Sequence, residues 1–122
     1  MRWHLMIVMA LTLGSQGMVR AEPDAARGMA LYQSRCVACH SVAYNGVGPA
    51  HQGVFGRKAG SAPNYVYSAV LKASSVVWDE KSLSRWLADP EKFIPGQKMG
   101  VSVEDANERQ DLIAYLKTLS AK

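Results

Sequence analysis

Two cysteines and a histidine within five residues offer the clearest chemistry in this sequence. The segment reads Cys36-Val37-Ala38-Cys39-His40, which is C-x-x-C-H, and it contains both cysteines of the chain. Two thiols on one helical turn can each add to a vinyl group of the same haem and form thioethers, and the adjacent imidazole can then ligate the iron. The spacing therefore predicts one haem c, held covalently by Cys36 and Cys39, with His40 as an iron ligand.

Two other kinds of chemistry use cysteine pairs and have to be weighed against haem attachment. A thiol–disulfide redox site would fit the C-x-x-C spacing, but it is typical of a βαβ context that this sequence does not show. Half of a zinc site is the other alternative, but a second pair of ligands is missing. The remaining histidines, His4 and His51, do not have ligand spacing from the motif.

The first 21 residues have the three-part pattern of a secretory signal peptide. Arg2 gives a positive start, residues 5–13 are apolar except for Thr12, and small residues follow up to Ala21. The apolar run is far shorter than the roughly 20 residues that span a bilayer. We expect cleavage near Ala21 and export to the periplasm, with an uncleaved anchor as the alternative. Export also fits covalent haem attachment, which takes place outside the cytoplasm.

The remaining segment, 22–122, is the size of one small domain. Removal of residues 1–21 takes away Arg2 and Arg20, so the formal net charge of +4 falls by two, to +2. Two haem propionates would bring the total near zero. No basic run interleaved with aromatic residues suggests a nucleic-acid partner.

Helical periodicity dominates the mature segment, and no stretch shows sustained strand alternation. We expect helices over 24–34, 64–75, 80–88 and a last one within 102–119, separated by loops over 41–63 and 93–101. Asn64 is the expected N-cap of the second helix, Asp79 that of the third, and Ser102 to Asp105 resembles a capping box. The sequence therefore predicts a small all-α domain.

From about Asp24 to Leu119 the chain resembles class I cytochrome c, in particular the mitochondrial and bacterial cytochrome c2-like branch. The resemblance depends on several motifs in one order: Gly28 and Tyr32, the C-x-x-C-H segment, Val47-Gly48-Pro49, Gly53 to Gly60, Trp78, Leu83 to Leu87, Asp89 to Met99, and Arg109 to Lys117. It implies a small cytochrome c fold of about four to five helices wrapped around one covalently attached haem.

The resemblance also implies the roles of individual residues. His40 would be the proximal iron ligand, with the Pro49 carbonyl accepting its other ring N–H, and Met99 would be the distal ligand. Trp86 stands where the mitochondrial proteins have a tyrosine near the methionine sulfur. Arg57, Tyr67 and Trp78 would meet the haem propionates.

Only two methionines, Met29 and Met99, follow the expected signal peptide. Met29 lies on the expected first helix, where methionine commonly fills core space. Met99 lies in a Pro-Gly loop that can reach the opposite haem face. His/Met ligation raises the reduction potential, and it leaves no open iron position for a substrate. These ligands therefore favour electron transfer over catalysis.

Some residues depart from the family pattern. His51 replaces a leucine that packs against haem, and we expect a partly exposed side chain there, with iron ligation as an alternative. Gln97 replaces a threonine near a propionate, and Glu91 replaces a lysine of the usual docking ring. Few lysines surround the expected haem edge, so docking through a strongly basic ring is doubtful.

The resemblance implies a periplasmic one-electron carrier that cycles between Fe(III) and Fe(II) and is not an enzyme. Its partners would be redox proteins, a donor and an acceptor, in transient contact with a membrane complex or a periplasmic dehydrogenase. One alternative is a haem subunit bound tightly to such a dehydrogenase. Another is a haem enzyme or gas sensor in which Met99 is displaced and the iron is open.

Overall fold

The computed structural model describes residue 14 and residues 22–120. In this part of the chain the only β-pairing is an isolated bridge between Lys58 and Val77, so the predicted all-α class is confirmed. The helices are α1 (Ala25–Arg35), α2 (Ala69–Lys72), α3 (Glu80–Ala88), α4 (Pro90–Phe93) and α5 (Ala106–Thr118). None of the helices described is long and apolar enough to cross a lipid bilayer. The expected signal peptide, 1–21, lies outside the described residues except for residue 14, and its cleavage stays a prediction.

Helix α1 carries the chain directly into the C-x-x-C-H motif. The Asp24 side chain caps it by accepting a hydrogen bond from the Arg27 amide, and its last turn ends where the Cys36 amide donates to the Tyr32 carbonyl. The Cys39 and His40 amides then both donate to the Cys36 carbonyl, at 3.1 and 2.8 Å. This extra turn brings both thiols and the imidazole together.

Helices α1 and α5 cross at Gly28, where their backbones almost touch. A Cβ atom built on Gly28 would lie 1.9 Å from the Asp111 carbonyl oxygen and 2.9 Å from the Tyr115 Cβ. Only glycine permits so close an approach. On either side of this contact the Tyr32 and Tyr115 rings pack at 5.1 Å, and Leu112 is fully buried.

An ionic contact closes the amino-terminal end of the same crossing. The Asp111 carboxylate accepts hydrogen bonds from the Asp24 amide at 2.8 Å and from Arg27 Nε at 2.9 Å. The hydrogen bond from Arg27 is the main reason why the pKa of Asp111 lies below its ordinary value, with burial acting in the opposite direction. The charged form of Asp111 therefore favours the docked helices.

The predicted extent of the second helix, 64–75, is wrong. Asn64 does not cap it but has a φ of +60°, in the left-handed region that asparagine tolerates, and the helix covers only Ala69–Lys72 behind an N-cap at Ser68. The Tyr67 hydroxyl accepts a hydrogen bond from the Ala62 amide, so the segment before the helix folds back on the preceding loop. This long turn keeps Tyr65 and Tyr67 on the site side of the chain.

Helix α3 follows the sequence prediction in its bounds and in its N-cap, Asp79. The structure adds a reciprocal capping box between Asp79 and Ser82, which was not predicted from the sequence. The helix ends at Asp89 as expected, but Asp89 then caps a further short helix, α4, with Pro90 in its first turn. The capping box expected at Ser102 is also wrong, because the N-cap of α5 is Asp105, whose side chain accepts from the Glu108 amide.

We expect Gly28→Ala to destabilise the haem-loaded protein by about 1–3 kcal/mol, because the added methyl group has no space unless α1 and α5 move apart. Denaturant unfolding measures this change. Ala30→Leu, which adds a larger side chain at an exposed position of the same helix, is the control and should stay within about 0.5 kcal/mol of the parent. Equal stabilities of the two variants would contradict the close crossing.

We expect Asp111→Asn to cost about 1 kcal/mol of unfolding free energy near pH 7, since the half-exposed Arg27 is partly screened by water. The folded-state pKa of Asp111 is lowered, so its contribution is complete above the unfolded pKa. It is lost as the pH falls through the folded value, below 3.8. Denaturant unfolding of both proteins from pH 7 to pH 3 should show the difference shrinking. The exposed Glu104→Gln is the matched control, and a difference independent of pH would refute the ionic contact.

Candidate haem site

A cavity of about 300 Å³ lies between the C-x-x-C-H turn, the long loops and the inner faces of α3 and α5. Every residue that the sequence analysis assigned to the site lines this cavity: Cys36, Cys39, His40, Pro49, Arg57, Tyr67, Trp78, Trp86 and Met99. Residues up to 63 positions apart in sequence therefore meet around one space.

Most of the remaining wall is apolar and was not identified from the sequence. These lining residues come from loops and from three helices: Val47, Val54, Tyr65, Leu71, Leu83, Leu87, Val103, Leu112 and Leu116. Their positions within the helices have the same spacing as residues that face an ordinary core. No sequence signal distinguishes a side chain that faces a cofactor from one that faces another helix.

The two thiols stand at one edge of the cavity, with Cys36 partly buried and Cys39 exposed. The pKa of Cys36 is raised to about 11. Burial is the main cause and Cys39 adds to it, and together they outweigh the lowering effect of Arg35. A thiol–disulfide exchange site works through a thiolate of lowered pKa. The Cys36 environment is therefore that of a structural or attachment cysteine.

The His40 imidazole is held in one tautomer. Its Nδ1 lies 2.8 Å from the Pro49 carbonyl oxygen, and a carbonyl only accepts, so Nδ1 carries the proton and Nε2 keeps a free lone pair. Burial lowers the pKa of His40, although the hydrogen bond to Pro49 acts in the opposite direction. A Cβ built on Gly48 would lie 2.2 Å from His40 Cε1, so the backbone itself packs against the ring.

His51 is packed into the wall behind His40. The two imidazoles are stacked with centroids 4.0 Å apart and an interplanar angle of 21°, and His51 Nδ1 is hydrogen-bonded to the Tyr32 hydroxyl at 2.9 Å. Burial lowers the pKa of His51 to about 3, with smaller effects in the same direction from His40 and Arg57. As expected the residue is only partly exposed, but its stacked ring was not anticipated from the sequence.

Met99 enters the cavity on a loop that two polar side chains hold in shape. Its amide donates to Gln97 Oε1 at 2.6 Å, and Gln97 Nε2 in turn donates to the Glu91 carboxylate at 3.1 Å. The other Glu91 oxygen accepts from the amide of Gly96, which has a φ of +90°. Met29, in contrast, is 44% exposed on α1 and does not line the cavity.

Arg57 presents an unpaired donor in the wall of the cavity. Its two terminal nitrogens donate to the carbonyl oxygens of Ala50 and Gln52, each at 3.0 Å, but its buried Nε has no partner in the protein. The nearby Tyr67 hydroxyl accepts from the Ala62 amide, so its own proton is free to be donated. An acidic group of a bound molecule would satisfy both donors, which suits haem propionates.

The donors present fit haem rather than zinc. No group of three or more histidine, cysteine, aspartate or glutamate side chains is placed to hold a metal ion in the part of the chain that the structure describes. The apolar wall, the two thiols beside it, the free His40 Nε2 and the unpaired Arg57 Nε together match a covalently held, partly anionic porphyrin.

Comparisons with known proteins agree with this geometry. The family model described as Cytochrome c matches residues 25–120. Cytochrome c of Euglena viridis is 43% identical over 79% of this chain and 97% of its own length. Cytochrome c2 iso-1 of Magnetospirillum fulvum is 47% identical over 70% of this chain and 92% of its own length. The solved structure of cytochrome cH from Methylobacterium extorquens, 47% identical, superposes with a TM-score of 0.75 over 78% of this chain and 98% of that one. The chain therefore belongs to the class I cytochrome c family, electron-transfer proteins rather than enzymes, which bind one haem c covalently.

Proposed function

We propose that this chain is a periplasmic one-electron carrier in which His40 and Met99 are the axial ligands of the haem iron. The proposal depends on one observation: His40 and Met99 line the same cavity, and Cys36 and Cys39 lie at its edge. A free imidazole nitrogen and a thioether are the ligand pair that stabilises reduced iron at a high potential. Two protein ligands also leave no open position for a substrate.

When bound, haem c supplies the Fe(III)/Fe(II) couple, and the protein supplies attachment, ligand orientation and a dry environment. Cys36 and Cys39 would form the thioethers. Pro49 keeps the His40 Nε2 lone pair available by accepting the Nδ1 proton. The loop around Met99 is fixed by the hydrogen bond to Gln97, so both ligands are positioned in advance. Preset ligands keep structural change between the two oxidation states small.

The partner surface proposed here is the side of the cavity where the attachment turn reaches solvent. Val47 is 76% exposed and Val37 is 53% exposed, and Ala38 and Cys39 are exposed as well. Besides Arg57, whose terminal nitrogens are bonded to backbone carbonyls, the cationic side chains that line the cavity are Arg35 and Lys98, and Arg35 is paired with Glu108 at 2.8 Å. A small, weakly charged contact supports a transient complex with a redox protein, which has to release the carrier after each electron.

The periplasmic location is supported by the signal-peptide pattern of residues 1–21 and by the attachment chemistry. Thioether formation requires reduced Cys36 and Cys39 together with haem on the outer side of the cytoplasmic membrane. Just after the expected cleavage point, Asp24 caps α1 and the Arg27 side chain donates to the Glu22 carbonyl. Cleavage after Ala21 would leave these contacts intact.

The ligand assignment is tested by Met99→Ala in the exported, haem-loaded protein. We expect the parent to show the weak long-wavelength ferric band of a sulfur–iron bond, and the variant to keep its covalent haem but lose this band. The absorption spectra of both proteins, oxidised and then reduced, measure the change. Met29→Leu is the matched control and should leave the band intact, because Met29 does not line the cavity. An unchanged ferric spectrum of Met99→Ala would rule out the assignment.

Export is tested by expressing the full chain with an intact haem-attachment system and separating the periplasmic from the membrane fraction. We expect the red protein in the periplasmic fraction, with an amino terminus at or next to Glu22, measured by intact mass. The mass should also include one haem. A haem-containing protein that keeps residues 1–21 and stays with the membranes would show an uncleaved anchor.

A further inference from the structure

His51 occupies a place in the haem pocket where the family usually has a leucine, and it contacts the proposed proximal ligand directly. Its ring lies 4.0 Å from that of His40, nearly parallel to it. The backbone on either side is also fixed, since the His51 amide donates to the Ser41 carbonyl and its own carbonyl accepts from the Val54 amide, each at 3.0 Å. The residue is therefore part of the rigid wall.

The side chain is held at its far end by helix α1. The Tyr32 hydroxyl is hydrogen-bonded to His51 Nδ1 at 2.9 Å, and the Tyr32 ring meets the His51 ring edge-on at 5.5 Å. Tyr32 itself is 3% exposed and packs on Tyr115 of α5, so it cannot move without disturbing the helix crossing. The position of the His51 ring is thus set by Tyr32, which is itself packed into the helix crossing.

We propose that His51 is a positioning residue that fixes the rotation of the His40 ring and stabilises the oxidised protein, so that it lowers the reduction potential. This inference rests on the proposed function, because it takes His40 as an iron ligand. The His40 ring has one hydrogen bond, to the Pro49 carbonyl. Rotation of the ring plane must therefore be limited by packing. The stacked His51 ring and the Gly48 backbone supply that packing.

The direction of the effect follows from charge. The oxidised protein carries one more positive charge than the reduced protein, and part of it is shared by the ligating imidazole. A neutral aromatic face and a nearby dipole attract positive charge in a poorly solvated site, whereas a leucine offers neither. The polarity around a haem ligand is one of the means by which a protein sets the potential.

The test compares the parent with His51→Leu, His51→Phe and Tyr32→Phe, all as haem-loaded proteins. At a fixed applied potential, we expect His51→Leu to raise the ratio of reduced to oxidised protein at least threefold, which is about 28 mV at 59 mV per tenfold change. Tyr32→Phe frees the His51 ring and should shift the ratio in the same direction by less. A spectroelectrochemical titration measures both.

Ring rotation is read separately from the proton NMR shifts of the haem methyl groups in the ferric proteins, which depend on the plane of the axial imidazole. His51→Leu should change their pattern, whereas His51→Phe keeps a stacked ring and should preserve it. Gln33→Leu, an exposed polar-to-leucine change on α1, is the control and should alter neither measurement. A shift of His51→Leu below threefold or in the opposite direction, or an unchanged methyl pattern, overturns the proposal.

The two proposals fail in different ways. Absence of the sulfur–iron band or of covalent haem in the parent protein refutes the proposed ligation before any variant is made. If the parent has both and His51→Leu behaves as the parent does, the carrier function stands and the positioning by His51 is refuted. Since the family places leucine at this position, His51→Leu is expected to fold, and His51→Phe and Tyr32→Phe provide independent readings.

Discussion

The hydrogen bond from His40 Nδ1 to the Pro49 carbonyl determines what this site can do. It fixes the imidazole tautomer, and with it the direction in which the free Nε2 lone pair points. The bond can form only because the Gly48 backbone lies against the ring, at a distance where any side chain would collide with it. Gly48, in the loop after the C-x-x-C-H turn, is therefore required by the packing of the His40 ring.

The cavity takes the place that a solid hydrophobic core has in other small domains. Leu112 and Leu116 pack α5 against the rest of the fold and also line the cavity wall, and Leu83 and Trp86 do the same for α3. A chain of this size buries little apolar surface by itself. A large apolar cofactor in the cavity would therefore contribute to stability through the same residues that exclude water from it.

The sequence was most informative where residue types are rare and chemically specific. Cys36, Cys39, His40 and Met99 could be proposed for the site because few residues of these types follow residue 21 and because the family resemblance assigns them roles, and the cap at Asp79 followed from local rules. The extent of α2 was missed because the residues on either side of the left-handed Asn64 are held by an earlier loop: Asn45 donates to the Pro63 carbonyl, and the Tyr65 hydroxyl donates to the Val47 carbonyl. The stacking of His51 was missed for the same reason, since an isolated histidine gives no sign of what its ring will contact.

The departures from the family pattern lie against the two proposed ligands, not at random. His51 packs on the His40 ring, while Gln97 accepts a hydrogen bond from the Met99 amide and is itself held by Glu91. Neither arrangement replaces a ligand, and each adds a polar contact immediately behind one. Substitutions of this kind preserve the chemistry of attachment and ligation and change only the surroundings of the iron. In the proposed ligation, His51 and Gln97 thus act on the orientation of the ligands and leave the ligands themselves unchanged.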